Sequence, residues 1–199
     1  MSTVKSKKLQ VGTDATATNN FTIYQPATPD GTLRIGVGNA DSPTEVGQFN
    51  ANGYVATKSP AFSAYISSTN QSVSPATWTK VTLNAKLFDT TSDYDNSTNY
   101  RFTPSVKGYY QVNFALRADA TSKTRVHCAL HKNGSVWHYG VGSRDSTSSP
   151  TYVAGNSLIY LNGSTDYIEM YGYVNGSSTS FAGTDQRFST FEAFLARAA

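Results

Sequence analysis

From residue 60 onward, apolar and polar side chains alternate in short runs separated by Gly, Asn, Asp and Ser. Between Gly108 and Arg117, the side chains of Tyr110, Val112, Phe114 and Leu116 share one face. A period of two residues is that of a pleated strand with one buried side. The same period recurs in Trp78–Leu83, where Val81 and Leu83 oppose Lys80 and Thr82. In Arg125–His131 it sets Val126, Cys128 and Leu130 against His127, Ala129 and His131. Tyr152–Leu161 and Tyr167–Val174 are further strands, and Phe62–Ile66, Leu87-Phe88 and Tyr100–Phe102 are shorter ones. Asn133-Gly134 is a strong hairpin turn into Ser135–Val141, and Asn162-Gly163 and Asn175-Gly176 read as two more turns. Phe191, Ala193 and Leu195 alternate as in a strand, so the closing segment is read as strand rather than short helix. Nine or ten strands without a convincing helix predict an all-β sandwich or barrel over residues 60–199.

Residues 1–59 have another texture, rich in Thr, Asn and Gly and poor in large apolar groups. Phe21–Tyr24 is a short strand ending at Gln25-Pro26. Asp30-Gly31 is a turn, and Thr32–Val37 alternates Leu33, Ile35 and Val37 against Thr32, Arg34 and Gly36. Val46–Phe49 is another short strand, followed by the turn Asn52-Gly53 into Tyr54-Val55. A segment below about 60 residues buries too little surface to be comfortably stable alone. Residues 1–59 are therefore expected to be an extended β arm that anchors on another surface through Phe21, Ile23, Tyr24, Leu33, Ile35 and Phe49.

Composition supports the β class: 13 Tyr and 10 Phe accompany abundant turn formers, and Glu occurs only at positions 45, 169 and 192. Charged residues make up 15% of the chain, so hydroxyls and amides carry solubility, as on surfaces buried in assemblies. A scattered net charge of +3 does not argue for nucleic acid. Lys5, Lys7 and Lys8 form the one basic cluster, read as a solvated terminus before a phosphate-binding arm. The single cysteine, Cys128, allows no intrachain disulfide and reads as a core thiol. No apolar leader or membrane-length run is evident, so the expectation is synthesis in a reducing cytoplasm and no membrane insertion.

Chemistry is sparse. Gly36-Val37-Gly38 lacks a third Gly and a following helix, so it is a turn rather than a phosphate loop. His127 and His131, four apart on a strand, are separated by about 13 Å and do not ligate one ion together. Asp89, Asp93 and Asp95 share a polar loop, where turn capping is the first reading and a calcium site the second. No Gly-x-Ser-x-Gly elbow occurs. The chain is read as a non-enzyme without a cofactor.

The order of motifs carries a family resemblance. Phe102, Gly108, Tyr110 and Phe114, approached through Leu87-Phe88-Asp89 and Asp93-Tyr94-Asp95, resemble the signature of complement-component-one-q-type globular heads. Ala129–Gly134 is similar to that family's strand ending in Lys-Asn-Gly, and Ser189–Leu195 to its terminal strand. The match spans residues 60–199, with Val112 where the family usually has Phe. The resemblance implies a ten-strand jelly-roll β-sandwich shared with tumour necrosis factor, and a homotrimer. Phe88, Phe102, Tyr110, Phe114, Phe191 and Phe194 are then expected in the sandwich core or the trimer contact, since aromatics exceed the needs of one core.

Asp30–Gly36 and Val46–Val55 resemble the trimeric shaft segments of tailed-phage fibres and other virion proteins. Joined to a trimeric head, they imply a phage virion protein on the capsid outer surface, made in the host bacterial cytoplasm. The first expectation is a capsid decoration, or cement, protein whose arm grips the major capsid protein; the shortness of the chain favours it, since a tail fibre usually needs a longer shaft. The alternative is a short tail fibre, attached to tail components, that recognises host surface glycan. Trp137, Tyr139 and Tyr152 are the residues suited to stacking on sugars, although Trp137 suits packing as well.

Overall fold

The computed structural model describes residues 6–56, 59–144, 150–183 and 187–199, with side chains for all of these except 54–56. Lys5, of the basic cluster, lies outside them. The chain forms two compact units, Met1–Lys58 and Ser59–Ala199.

In the first unit the segment expected as an extended arm is a folded meander. Strands β1 (Lys8–Val11), β2 (Phe21–Tyr24), β3 (Leu33–Val37), β4 (Thr44–Asn50) and β5 (Gly53–Ala56) pair antiparallel in sequence order. Each strand satisfies the backbone of the next, so the ladders between neighbours form within the unit itself. β1 lies in the stretch read as a solvated terminus: Lys8-Leu9-Gln10-Val11 alternates, and Gln25 N donates to Lys7 O at 3.0 Å. Leu9 faces Ile23 and Ile23 faces Ile35, while Val11, Phe21 and Val37 form a second row and Leu33 faces Phe49. Strand parity puts all eight on one face. Thr22, Tyr24, Arg34 and Gly36 fall on the other.

That second face is organised by polar groups. Buried Asn20 donates from Nδ2 to Asp14 O and Asn39 Oδ1, both at 2.8 Å, and accepts from Asp14 N at 3.0 Å. Thr22 Oγ1 donates to Gly38 O at 3.0 Å. Arg34 bridges Asp30 (2.5 Å) and Glu45 (2.9 Å), tying the Asp30-Gly31 turn to β4.

The second unit is a two-layer sandwich. Its strands are β6 (Ala61–Tyr65), β7 (Gln71–Ser72), β8 (Thr79–Lys80), β9 (Ala85–Asp89), β10 (Tyr94–Asp95), β11 (Arg101–Phe102), β12 (Gly108–Lys132), β13 (Ser135–Tyr139), β14 (Thr151–Leu161), β15 (Ile168–Phe181) and β16 (Thr190–Ala198). One layer runs β9-β6-β16-β12-β14 through the first half of β12. The other runs β10-β11-β15-β12-β13 through the second half of β12, and β7 and β8 pair with β15. β12 crosses between layers where its register with β15 shifts, between Asp119 and Arg125, with Ser122 at φ 54°.

This crossing explains one departure from the sequence reading. Asn175-Gly176 is no turn; β15 runs through it, and Asn175 pairs with Arg125. A Cβ on Gly176 would sit 3.0 Å from Thr121 O and 3.2 Å from Ala120 Cβ, so the glycine answers the crowding of β12's bend. Asn133-Gly134 does make the expected β12–β13 hairpin, with φ 51° and 80°.

The inward faces form one core. Tyr110, Val112, Phe114 and Leu116 meet Val126, Cys128 and Leu130, all at most 1% exposed. Phe62 stacks on Tyr94 (4.7 Å) and Phe102 (4.6 Å), and Phe191 meets Phe62 edge-on at 5.2 Å. Such pairs add about 0.5–1.5 kcal/mol each beyond burial. Burial pushes the Cys128 thiol up to about 12, which leaves it unreactive.

Candidate functional site

The six aromatics assigned to core or trimer contact divide by strand parity. Phe102, Tyr110, Phe114 and Phe191 are buried, whereas Phe88 and Phe194 are exposed on the outer face of the β9-β6-β16-β12-β14 layer. Across that face Phe88 stands opposite Ser63, Phe194 opposite Gln111, and Gln111 opposite Leu158. Tyr109 meets Tyr160 at 5.5 Å. Phe88, Phe194, Leu158, Tyr109 and Tyr160 thus make a band of exposed apolar groups crossing the layer.

In the first unit, five of the six anchoring candidates share a face: Phe21, Ile23, Leu33, Ile35 and Phe49, joined by Leu9 and Val11 from the unanticipated β1. Except for the half-buried Ile35, these side chains are exposed, Leu9 by 59% and Phe21 by 48%. Tyr24 is a correction. One position on from Ile23, it points the opposite way and leans over Gly36, where its Cε1 lies 3.2 Å from a would-be Cβ.

The three loop carboxylates do not converge. Asp95 accepts from the backbone N–H of Ser97, Thr98 and Asn99, and these bonds hold its carboxyl well below the usual range. Asp93 accepts from Thr91 Oγ1, Ser105 N and Ser105 Oγ. Asp89 accepts from Asp93 N and Tyr94 N and pairs with Lys86 at 3.0 Å. Asp89 and Asp95 cap their own turns, and Asp93 ties its loop to Ser105. Among the described residues no three His, Cys, Asp or Glu side chains gather where an ion would bind.

The three sugar-stacking candidates are also separated. Trp137 donates from Nε1 to Ser157 Oγ at 3.2 Å. Tyr152 packs edge-on against Phe188 at 5.9 Å, with the Arg117 guanidinium 4.4 Å from that ring. Tyr139 alone joins a cavity, about 350 Å³ in volume and lined by Trp78, Arg125, His127, Gly140, Gly142 and Tyr173. This cavity lies on the outer face of the β15-β12-β13 layer, because His127 and Tyr173 alternate with the inward Val126, Cys128 and Val174. The sequence held one signal for it: outward positions of two strands carry aromatics where solvent-facing polar groups are usual.

His131, on the same outer face, is buried and stacks on Tyr171 at 3.8 Å, beside the Lys80–Glu169 ion pair. Burial lowers the affinity of both His127 and His131 for a proton.

No family model matches this chain, and no curated protein matches it. Solved structures do. The globular domain of the zebrafish complement 1qA protein superposes with a TM-score of 0.53 at 20% identity, over 70% of this chain and 99% of that one. The fold is a jelly-roll β-sandwich. The same jelly roll is seen in Eiger TNF from S. frugiperda (TM-score 0.55, 11% identity, 71% of this chain and 94% of that one). Murine APRIL gives 0.52 at 8% identity, over 69% of this chain and 99% of that one. At such identities the likeness establishes the jelly roll and nothing of ligand or partner.

Proposed function

We propose that this chain is a trimeric structural protein of a tailed-phage virion, a capsid decoration protein whose N-terminal sheet docks on the major capsid protein while the jelly roll faces outward. The observation that carries the reading is the apolar face of the first unit, with Leu9, Val11, Phe21, Ile23 and Leu33 exposed side by side. A contiguous apolar patch of this kind marks an interaction surface. Covering it would contribute about 25 cal/mol per Å² of apolar area removed from water. The virion setting rests on the resemblance of Asp30–Gly36 and Val46–Val55 to fibre-shaft segments. The trimer is supported by the jelly-roll fold and by the band of Phe88, Phe194, Leu158, Tyr109 and Tyr160 on one outer face, which a three-fold contact would bury.

A second reading, a short tail fibre that binds host glycan, is favoured by the aromatic cavity on the opposite layer's outer face. Copy number separates the two. Quantitative mass spectrometry of purified virions should find hundreds of copies for a decoration protein and a few tens at most for a fibre; the low count would end the decoration reading. The anchor is tested by Phe21→Lys with Leu33→Lys. This pair should abolish capsid binding while light scattering still reports a trimer, and unimpaired binding would remove the sheet from the anchor.

A further inference from the structure

From the cavity bounded by Trp78, His127, Tyr139 and Tyr173, with Arg125 at its side, we infer a binding site for a sugar residue that carries a carboxylate. The walls come from β13, β15, the second half of β12 and the segment entering β8. Trp78 lies 5.7 Å from Tyr139 and 5.5 Å from Tyr173, with interplanar angles of 46° and 50°. It is 6.3 Å from His127, which in turn meets Tyr173 at 6.2 Å and 69°. Tyr139 is 58% exposed at the rim. The volume of about 350 Å³ is at the small end of ligand pockets, about 300–1,000 Å³. That suits one or two sugar rings.

One glycine borders the cup, and a second meets the core behind it. A Cβ on Gly142 would come within 2.1 Å of the His127 ring, and one on Gly140 within 2.5 Å of Cys128 Sγ. At both places only a bare backbone lets the chain pass so close to β12.

The polar groups are donors. Arg125 Nε donates to His127 Nε2 at 2.6 Å, which makes Nε2 the acceptor and leaves Nδ1 to carry the ring's proton. The guanidinium lies 5.9 Å from the Tyr173 ring, and its terminal nitrogens make no hydrogen bond to a described residue. Burial, Arg125 and then Arg144 disfavour a proton on His127, and both guanidiniums are positive neighbours of the ring. That charge excludes the ligand class aromatic cups otherwise favour, a quaternary ammonium held by cation–π attraction. Aromatic faces suit the C–H face of a pyranose, and the forked guanidinium suits a carboxylate.

The inference does not rest on the capsid reading, because a decoration protein and a fibre head could both present this face. Its failure would leave the anchoring surface untouched. The test uses the full-length chain carrying Trp137→Phe, so that Trp78 alone fluoresces. The probe is a tetrasaccharide of alternating glucuronate and N-acetylglucosamine, set against its carboxyl-reduced form and against choline, with saturation-transfer NMR alongside. The acidic tetrasaccharide should shift Trp78 emission and bind about tenfold tighter than the reduced form, the gap expected of a charge-assisted contact. Arg125→Gln should erase that gap, and Tyr139→Ala, at the exposed rim, should weaken both forms without lowering the melting temperature. Equal binding of the two forms, a response to choline alone, or no response to any probe at millimolar concentration would each overturn the proposal.

Discussion

The two units use the same alternating strands and finish them differently. In the jelly roll a second layer covers the first, and Phe62, Phe102, Tyr110, Phe114 and Phe191 lose essentially all contact with solvent. In the N-terminal sheet the apolar row Leu9, Ile23, Ile35 and its neighbour Val11, Phe21, Val37 meet no second sheet among the unit's described residues. Among the described residues there, the side chains with no exposure are polar ones, Asn20 and Thr22. The first unit is therefore held by hydrogen bonds and a ladder, and the second by a core. The lesson is that a completed ladder fixes a sheet's shape while leaving its apolar face available to another molecule.

The sharpest way to break this contrast is truncation of one phenylalanine in each unit. Phe114→Ala should cost about 3–5 kcal/mol in urea unfolding. Phe21→Ala should cost about 0.5 kcal/mol or less, as an exposed site does. Equal losses would mean that the N-terminal face is buried in the isolated protein. Next in size is Gly155→Ala, where the new Cβ would lie 2.4 Å from Phe114 Cζ. Overpacking there should cost about 1–3 kcal/mol. Gly36→Ala meets only the Pro43 ring of a surface loop (2.7 Å) and the Tyr24 edge at the closest points besides Thr44 O, and should cost less than its counterpart in the same assay.

A third change acts on the N-terminal unit alone. Asn20→Ala removes the three hydrogen bonds of a buried side chain, at a net of about 0.5–1.5 kcal/mol each. Hydrogen exchange should quicken in β1–β3 and stay unchanged in β12. Faster exchange in β12 would show that the units do not unfold separately.

The smallest expected effect is on pH. The three histidines, His127, His131 and His138, all lie in the jelly roll. Burial depresses the folded-state proton affinity of His127 and His131, so the unfolded chain binds more protons just below its ordinary value near 6.5. Their contribution is present above that value and is lost as pH falls through and below it. Melting followed by Trp fluorescence should drop between pH 7 and 5, whereas His131→Phe should flatten the slope. In the N-terminal unit the lowered groups are Asp14 and Asp30, held down chiefly by hydrogen bonds from Thr16 and Thr32. Its acid loss should begin only below about pH 4.

The jelly-roll core was legible because parity survives along its strands: Tyr110, Val112, Phe114 and Leu116 were one face in sequence and are one face in space. β1 was missed because Lys7 and Lys8 drew attention to charge and away from the alternation of Leu9 and Val11. Tyr24 was grouped with Ile23 by composition when adjacent strand residues cannot share a face. Asn175-Gly176 carries turn chemistry, but the bend that requires its glycine is in β12. The aromatic cup was hardest to see, since Trp78, His127, Tyr139 and Tyr173 come from four segments and meet only through strand order.

The position of β16 has a consequence for synthesis. Thr190–Ala198 is not an edge strand; it sits between β6 and β12 and pairs with both. Until that stretch leaves the ribosome, β6 and β9 have no strand joining them to β12, and Phe62 lacks its contact with Phe191. Until then the emerging chain carries two open sheet borders. With Phe62 meeting Ala193, the step that seals the layer is also among those of longest sequence separation, the slow kind. Nascent copies crowded on one message would meet each other with those borders exposed, and strand exchange between them is the hazard this topology has to outrun.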